Sequence, residues 1–224
     1  IPTYNESETI IKLIEEVISL KNEIDILVID DSSEDGTGRL VSDFAKKNKN
    51  ITLITRTSKS GLASAYIEGF KFALENDYDY IGQMDADFSH PPESLKDVYA
   101  LLLTGKYDFL VGSRYVKGGK TQNWSKMRKI ISRFGSIYAK TVLNVPINDM
   151  TGGFNIWSSR ILKHIMNSII SEGYCFQIEL KTRAFKSGFS FFEFPITFKD
   201  RHVGKSKMTK RSFIYAFSKV LFFK

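Results

Sequence analysis

Two carboxylates one residue apart close an apolar stretch. Tyr80 to Met84 leads into Asp85 and Asp87, followed by Phe88, Ser89, His90 and two prolines. A buried carboxylate without a partner is costly, and two neighbouring ones repel until one takes up a proton. The pair therefore expects a cation, or both groups point into water. A hard divalent ion suits it, because Mg²⁺ and Mn²⁺ take carboxylate oxygens and share phosphate oxygens with a substrate. His90 is a third candidate ligand, although a lone histidine ahead of two prolines reads more simply as a solvated loop residue.

Acids recur at two other strand ends. "PTYNE" carries Pro2, Tyr4 and Glu6, and "VIDDSSEDGT" closes on Asp30 and Asp31 with Gly36 as a turn. Each alone could be a cap or turn acid. Together, on one edge of a sheet and in a chain of net charge +7, they describe a site. The second half supplies the cations. The helical stretch 124–143 holds Lys126, Arg128, Lys129, Arg133 and Lys140 and no acid, and residues 199–211 hold six Lys and Arg against Asp200. Such a surplus suggests an anionic partner. Asp149, just before "MTGGF", is the candidate general base, or else a turn acid whose place Asn would fill nearly as well.

The elements that must position these groups alternate. Apolar periodicity predicts helices over 8–20, with Ser7 as N-cap, and over 38–47, 60–75 and 92–103. Strands are predicted at 24–30, 51–56, 78–85 and 107–115. This alternation predicts an α/β fold, a mostly parallel central sheet flanked by helices in one domain, with ligands at the carboxyl ends of the strands. Later, 124–143, 159–170 and 176–186 read as helices, and "FSFFEFPITF" as one strand. Ile1-Pro2 reads as the last step of a strand whose beginning is missing. Residues 212–224 read as a membrane-interface helix or a core helix. The single Cys175 excludes an intramolecular disulfide, no Cys/His spacing suits structural zinc, and no apolar run is long enough to span a bilayer.

"PTYNE", "VIDDSSEDGT", "MDADFSHPPE", "VGSRY", "TGGF", "GYCFQIEL" and "DRHVGKSKM" follow in the order found in polyprenyl-phosphate (dolichyl-phosphate) mannosyltransferases. The chain resembles these family 2 glycosyltransferases of GT-A fold over essentially its whole length. The resemblance implies that Pro2, Tyr4, Glu6, Ile29 and Asp31 hold the base and ribose, and that Asp85, Ala86 and Asp87 hold the nucleotide sugar. Asp85 and Asp87 would also hold Mg²⁺ or Mn²⁺, joined by Ser89, which stands where the family commonly has the longer Gln. Arg114 would touch phosphate or sugar. Cys175, Gln177 and Lys207 would line the donor site, with Glu179 either shaping the sugar pocket or lying on a helix surface. Arg128, Arg133, Arg201, Ser206 and Lys207 would receive the acceptor phosphate. Asp87, Arg114 and Arg201 would be the catalytic groups.

The implied reaction transfers a sugar with inversion from a nucleotide sugar, GDP-mannose first and UDP-glucose next, to polyprenyl or dolichyl phosphate. Residue chemistry agrees. A leaving diphosphate needs its growing charge stabilised, and a phosphate acceptor, with a second pKa of about 6, needs no general base. A family 2 enzyme acting on a hydroxyl would want Asp149 as base. A nucleic-acid-binding module is disfavoured, because the acids sit at the ligand edge and no RNA-binding aromatic motif occurs. A lipid acceptor places the protein at the cytoplasmic face of a membrane, either peripheral or anchored through other segments.

Overall fold

The computed structural model describes residues 1–20, 23–173, 175–200 and 219–223. The first half alternates as β1 (Pro2–Thr3), α1 (Ile10–Ser19), β2 (Ile26–Asp30), α2 (Thr37–Ala45), β3 (Ile51–Thr55), α3 (Leu62–Glu75) and β4 (Tyr80–Gln83). Then come a 3₁₀ turn (Pro92–Ser94), α4 (Leu95–Leu102) and β5 (Phe109–Ser113). The second half holds β6 (Lys120–Gln122), α5 (Lys126–Leu143), β7 (Asn155–Ser158), α6 (Ser159–Ile165), α7 (Cys175–Lys186), β8 (Phe191–Pro195) and β9 (Thr197–Lys199). Among the described residues no helix is long and apolar enough to cross a membrane.

The apolar spacing explains the helices. Ile10, Leu13, Ile14 and Val17 of α1 are buried, the i, i+3, i+4, i+7 stripe of a helix lying on a sheet. The helix starts at Ile10 behind Thr9, two residues beyond the expected Ser7 cap. Strands β2 and β5 run near-continuously buried because both of their faces are covered. In β5, Phe109 and Val111 join a core with Phe70, Trp157 and Phe176, while Leu110 turns to a second core with Ile10, Val28 and Phe194.

Strand pairing forms three ladders, β1-β2-β3, β4-β7-β5-β8 and β6-β9. The first is wholly parallel, and β7 runs antiparallel between β4 and β5. The expected strand in "FSFFEFPITF" divides at Ile196: β8 pairs with β5, and β9 leaves to pair with β6. Pro195 ends β8, as expected of a residue without an amide donor. Strand β6, "KTQ", has no apolar alternation to announce it. An apolar cavity of about 440 Å³ separates the first two ladders, lined by Ile26, Ile29, Phe70 and Met84 among others; Asp85 and Asp87 lie outside its lining. At the far end of the chain, Val220 and Phe223 are buried with Leu143 and Phe176. Residues 201–218, which hold most of the two expected C-terminal features, lie outside the described residues.

Candidate active site

Beyond β4, Met84 and Ala86 are packed in the core, 5% and 3% exposed, while the Asp85 side chain between them stays 30% exposed. Asp85 accepts a hydrogen bond from Tyr66 Oη at 3.3 Å. Burial and Asp85 raise the Tyr66 hydroxyl well above 10, so it stays a donor. Phe88 adopts φ +59°, uncommon for a bulky residue. That turn brings the Ser89 N–H to Asp87 Oδ1 at 3.0 Å. Asp87 and Ser89 are 4% and 2% exposed.

His90 is not the solvated loop residue expected. It is 1% exposed, stacked on Phe154 and edge-on to Phe198. Its Nδ1 accepts the Asp85 N–H at 3.0 Å, which assigns the ring proton to Nε2, 3.9 Å from Asp85 Oδ2. Burial pushes its pKa below the ordinary value, so His90 is a neutral positioning group beneath Asp85. Among the described residues no cluster of three acid, His or Cys side chains forms a cage for a metal. Two carboxylates suit Mg²⁺ or Mn²⁺ nonetheless, since such ions are commonly held by one or two carboxylates plus substrate phosphates.

The neighbouring strand ends form the other wall. Pro2 pairs in register with Ile29, and Thr3 Oγ1 donates to the buried Asp30 at 2.8 Å. Asp31 lies 3.0 Å from Arg56 Nη1, both side chains 8% exposed, in an ion pair without hydrogen-bond geometry. Arg56 also reaches Ser64 Oγ at 2.7 Å, a role nothing in the motifs announced. The Tyr4 ring lies beneath Lys59 Nζ, 3.6 Å from its centroid, and the Glu6 N–H is held by Thr37 Oγ1 at 2.9 Å.

The cationic wall is built differently. Arg114 is 7% exposed and Asp149 is at 0%. Arg114 Nε and Nη2 donate to the two oxygens of Asp149 at 2.7 and 2.6 Å, and its backbone N–H adds a third bond at 2.9 Å. The Gly152 N–H completes the set at 2.9 Å. A Cβ there would sit 3.1 Å from Asp149 Oδ1, so glycine suits position 152. Burial pulls Asp149 up, but Arg114 outweighs it and holds the carboxyl low. Asp149 thus closes the turn before the Gly pair, as expected of a turn acid, but it is buried and does not face an acceptor. It anchors Arg114.

The frame extends further. Glu193 accepts the N–H groups of Asn148 and Asp149 at 2.8 and 3.0 Å. The buried Lys181 ammonium donates to the carbonyls of Asp149, Met150 and Gly152 at 2.8, 3.3 and 2.7 Å. Glu179 is fully buried, not on a helix surface. It accepts the Ser171 N–H at 2.8 Å and Arg183 Nε at 2.7 Å, fixing the loop before α7. Cys175 lies in the core, its thiol pushed up to about 11 by burial and by Glu179. Gln177 Oε1 accepts from Asn155 at 2.9 Å, and Asn155 and Trp157 both donate to Gln83. Gly153 separates this network from His90: a Cβ there would lie 3.6 Å from His90 Cε1 and 3.8 Å from Gln177 Nε2.

Beside Arg114 the cations open outward. Arg114 Cζ lies 5.4 Å from the Trp124 ring centroid and Arg128 Cζ 4.2 Å from it. Arg133 Cζ lies 5.9 Å from Tyr115, and Arg128 pairs with Asp200 at 2.5 Å. Trp124 Nε1 is buried without a hydrogen-bond partner among the described residues. Two sequence-predicted groups thus come together, acids around Asp85 and Asp87, and Arg114, Arg128 and Arg133 around Trp124 and Tyr115. Arg201, Ser206 and Lys207 lie outside the described residues. Gln83, Asn155 and Glu193 had a readable signal, a polar residue within or beside an apolar strand run; Arg56, Trp124 and Lys181 had none.

An α/β fold with a carboxylate pair at a strand end is the framework of a nucleotide-sugar-dependent transferase. The model described as "Glycosyl transferase family 2" matches residues 1–166, and the chain belongs to that family, as a glycosyltransferase of GT-A type. It is 40% identical over 222 residues to a polyprenol monophosphomannose synthase of Mycolicibacterium smegmatis, covering 98% of this chain and 83% of the relative. It is also 40% identical over 210 residues to an undecaprenyl-phosphate mannosyltransferase of Micrococcus luteus, covering 93% and 86%. Among solved structures, glucosyl-3-phosphoglycerate synthase of Mycobacterium tuberculosis with Mg²⁺ and UDP superposes with a TM-score of 0.69 at 15% identity, over 99% of this chain and 76% of that one. A mannosyltransferase of Pyrobaculum calidifontis with GDP-Man and Mn²⁺ gives 0.59 at 15%, over 92% and 56%. At these identities the likeness to solved structures is one of fold.

Proposed function

We propose that the protein transfers mannose from GDP-mannose to a polyprenyl phosphate, giving the lipid-phosphate sugar and GDP at a membrane surface. The observation that carries this reading is the state of Asp149. The carboxylate that a hydroxyl-acceptor enzyme would use as base is buried and bonded on both oxygens. Its neighbourhood offers instead three arginines and an unpartnered Trp124 N–H. That set fits an acceptor that brings its own anion, and the two relatives at 40% identity carry names that specify such acceptors.

Asp85 and Asp87 would hold the Mg²⁺ or Mn²⁺, which when bound supplies positive charge at the leaving diphosphate. Pro2, Ile29 and Asp31 line the nucleoside wall, with Arg56 fixing Asp31. Tyr66 and His90 orient Asp85. Arg128, Arg133 and the Trp124 N–H receive the acceptor phosphate, and Arg201, Ser206 and Lys207 are proposed to close over it. Arg114, neutralised and made rigid by Asp149, holds Trp124 and with it Arg128 in place at the acceptor side. Attack by the phosphate oxygen on the anomeric carbon, opposite the departing diphosphate, inverts that centre, and no proton need leave the acceptor.

Purified protein given GDP-mannose, Mn²⁺ and either a polyprenyl phosphate or the corresponding polyprenol tests this. Mannose should pass to the phosphate only. Transfer to the free alcohol at a comparable rate would overturn the reading.

A further inference from the structure

Gly153 has no internal reason to be glycine. Its φ lies outside the left-handed region, and a Cβ would come no closer than 3.6 Å to any non-adjacent residue, an ordinary contact. Gly152 differs, since a Cβ there would crowd Asp149. Gly153 is half-buried between the buried Gly152 and Phe154. What its missing side chain leaves is a close approach to the main chain from outside.

Two hydrogen-bond donors border that spot. The place of the absent Cβ lies 3.8 Å from Gln177 Nε2 and 4.0 Å from His90 Nε2. The amide orientation of Gln177 follows from its neighbours. Trp157 Nε1, which can only donate, takes Gln83 Oε1 at 2.8 Å, and Asn155 Nδ2 donates to the Gly152 carbonyl at 3.3 Å. Asn155 therefore turns its NH₂ group to Gln177, which must present Oε1 and turn its own NH₂ away. That Nε2 is buried with no partner among the described residues. The ring proton of His90 sits on Nε2, because Nδ1 accepts the Asp85 N–H. Asp85 Oδ2 is 3.9 Å from it, beyond hydrogen-bond reach. An unmet buried donor is costly, and both border one hollow.

We infer that Gly153 is the floor on which the donor's sugar ring lies, and that Gln177 Nε2 and His90 Nε2 receive its hydroxyl oxygens. The chemistry favours a neutral polyhydroxyl group. Both donors are uncharged, and the Asp85 carboxylate beside them would repel an anion. A hydroxyl can accept from an N–H and donate to Asp85 at once. The position agrees. On one side Gly152 is tied to Asp149 and through it to Arg114; on the other, His90 is tied to Asp85. Gly153 thus lies between the two walls, where a sugar passing from diphosphate to acceptor must sit. The inference deepens the proposed function and rests on it for the identity of the donor.

Calorimetry with Mn²⁺ and no acceptor tests this on the full chain, comparing GDP-mannose with GDP. Gly153→Ala should keep or raise the urea midpoint, because the new methyl meets no obstacle and stiffens the unfolded chain. It should weaken GDP-mannose at least about tenfold and leave GDP unchanged. Gln177→Met should weaken GDP-mannose about tenfold, again without effect on GDP. The monodeoxy analogues of GDP-mannose locate the contact. One of them should bind the native protein about tenfold more weakly than GDP-mannose, yet bind Gln177→Met as well as GDP-mannose does. Native GDP-mannose affinity in Gly153→Ala, or equal losses for GDP and GDP-mannose, overturns the inference. If no analogue loses its penalty in Gln177→Met, the two donors hold only water, and the inference falls equally. If Gln177→Met does not fold, Gly153→Ala alone decides. A native protein that binds UDP-glucose in preference to GDP-mannose strikes the proposed donor instead. The same comparison with UDP and UDP-glucose then decides the role of Gly153.

Discussion

The acid wall and the cation wall of the site hold charges of the same kinds in opposite states. Asp85 has a side chain 30% exposed, touched by a neutral tyrosine and a neutral histidine, so its charge is available to a ligand. Asp149 is fully buried and meets a guanidinium and a backbone amide at hydrogen-bond distance, so its charge serves the frame. Arg128 lies on a ring at the surface while Arg114 is locked beneath it. Partner and burial, not residue type, decide which charges bind and which hold. Substitutions should therefore separate stability from transfer.

The largest expected effect is on the frame. Asp149→Asn leaves Arg114 a buried cation without its carboxylate, and breaking one side of such a pair costs about 3–5 kcal/mol. A simple turn acid would lose far less on the same change. Urea unfolding should show a midpoint shift of that size. If the variant instead keeps its midpoint and loses about two to four orders of magnitude in transfer, Asp149 is a base and the comparison of the two walls collapses.

Asp87→Asn should do the reverse. The Ser89 N–H retains an acceptor, so folding should change little, whereas transfer should fall by about 10²–10³. Binding of the GDP-mannose–Mn²⁺ pair, followed by calorimetry, should weaken in parallel. Near-normal turnover would remove Asp87 from the proposed metal site.

A smaller effect is expected on the outer cations. Arg128→Ala and Arg133→Ala should each weaken use of the lipid phosphate by about 1.5–3 kcal/mol, the worth of a charged hydrogen bond, with nucleotide affinity unchanged. Arg201→Ala and Lys207→Ala belong to the same expectation. A loss of nucleotide affinity with normal acceptor KM would assign these residues to the donor.

The acid wall was legible in the sequence because its chemistry is local. Asp85 and Asp87 stand at the end of an apolar run, and their neighbours in space are largely neighbours in the chain. The parallel first half was legible for the same reason, since periodicity is a local signal. The frame was not. Asp149 meets Arg114 across 35 residues and Glu193 across 44, so its burial follows from tertiary packing that spacing does not encode. His90 was misread on the same ground, as its solvation is removed by Phe154 and Phe198 from distant segments of the chain. Strand β6 was missed because its pairing with β9, not its composition, makes it a strand.

Lys181 offers the finest test of the frame, through pH. Burial lowers its pKa from 10.5 to about 7, against the opposing pull of Asp149. The unfolded chain then binds more protons than the folded one between about pH 7 and 10.5, so stability rises with pH across that window. The slope is at most about 1.4 kcal/mol per pH unit. Lys181→Met removes this contribution and also leaves the carbonyls of Asp149, Met150 and Gly152 without their donor, a loss of about 1–3 kcal/mol at any pH. Subtracting the variant's stability from that of the native protein cancels the other titrating groups. The difference should grow between pH 7.5 and 8.5 in paired urea titrations at about the limiting slope. A constant difference would mean that the three carbonyls and Asp149 keep the ammonium charged throughout. Lys181 would then be a fixed cation of the frame, like Arg114, and the pH dependence of folding would have to come from elsewhere.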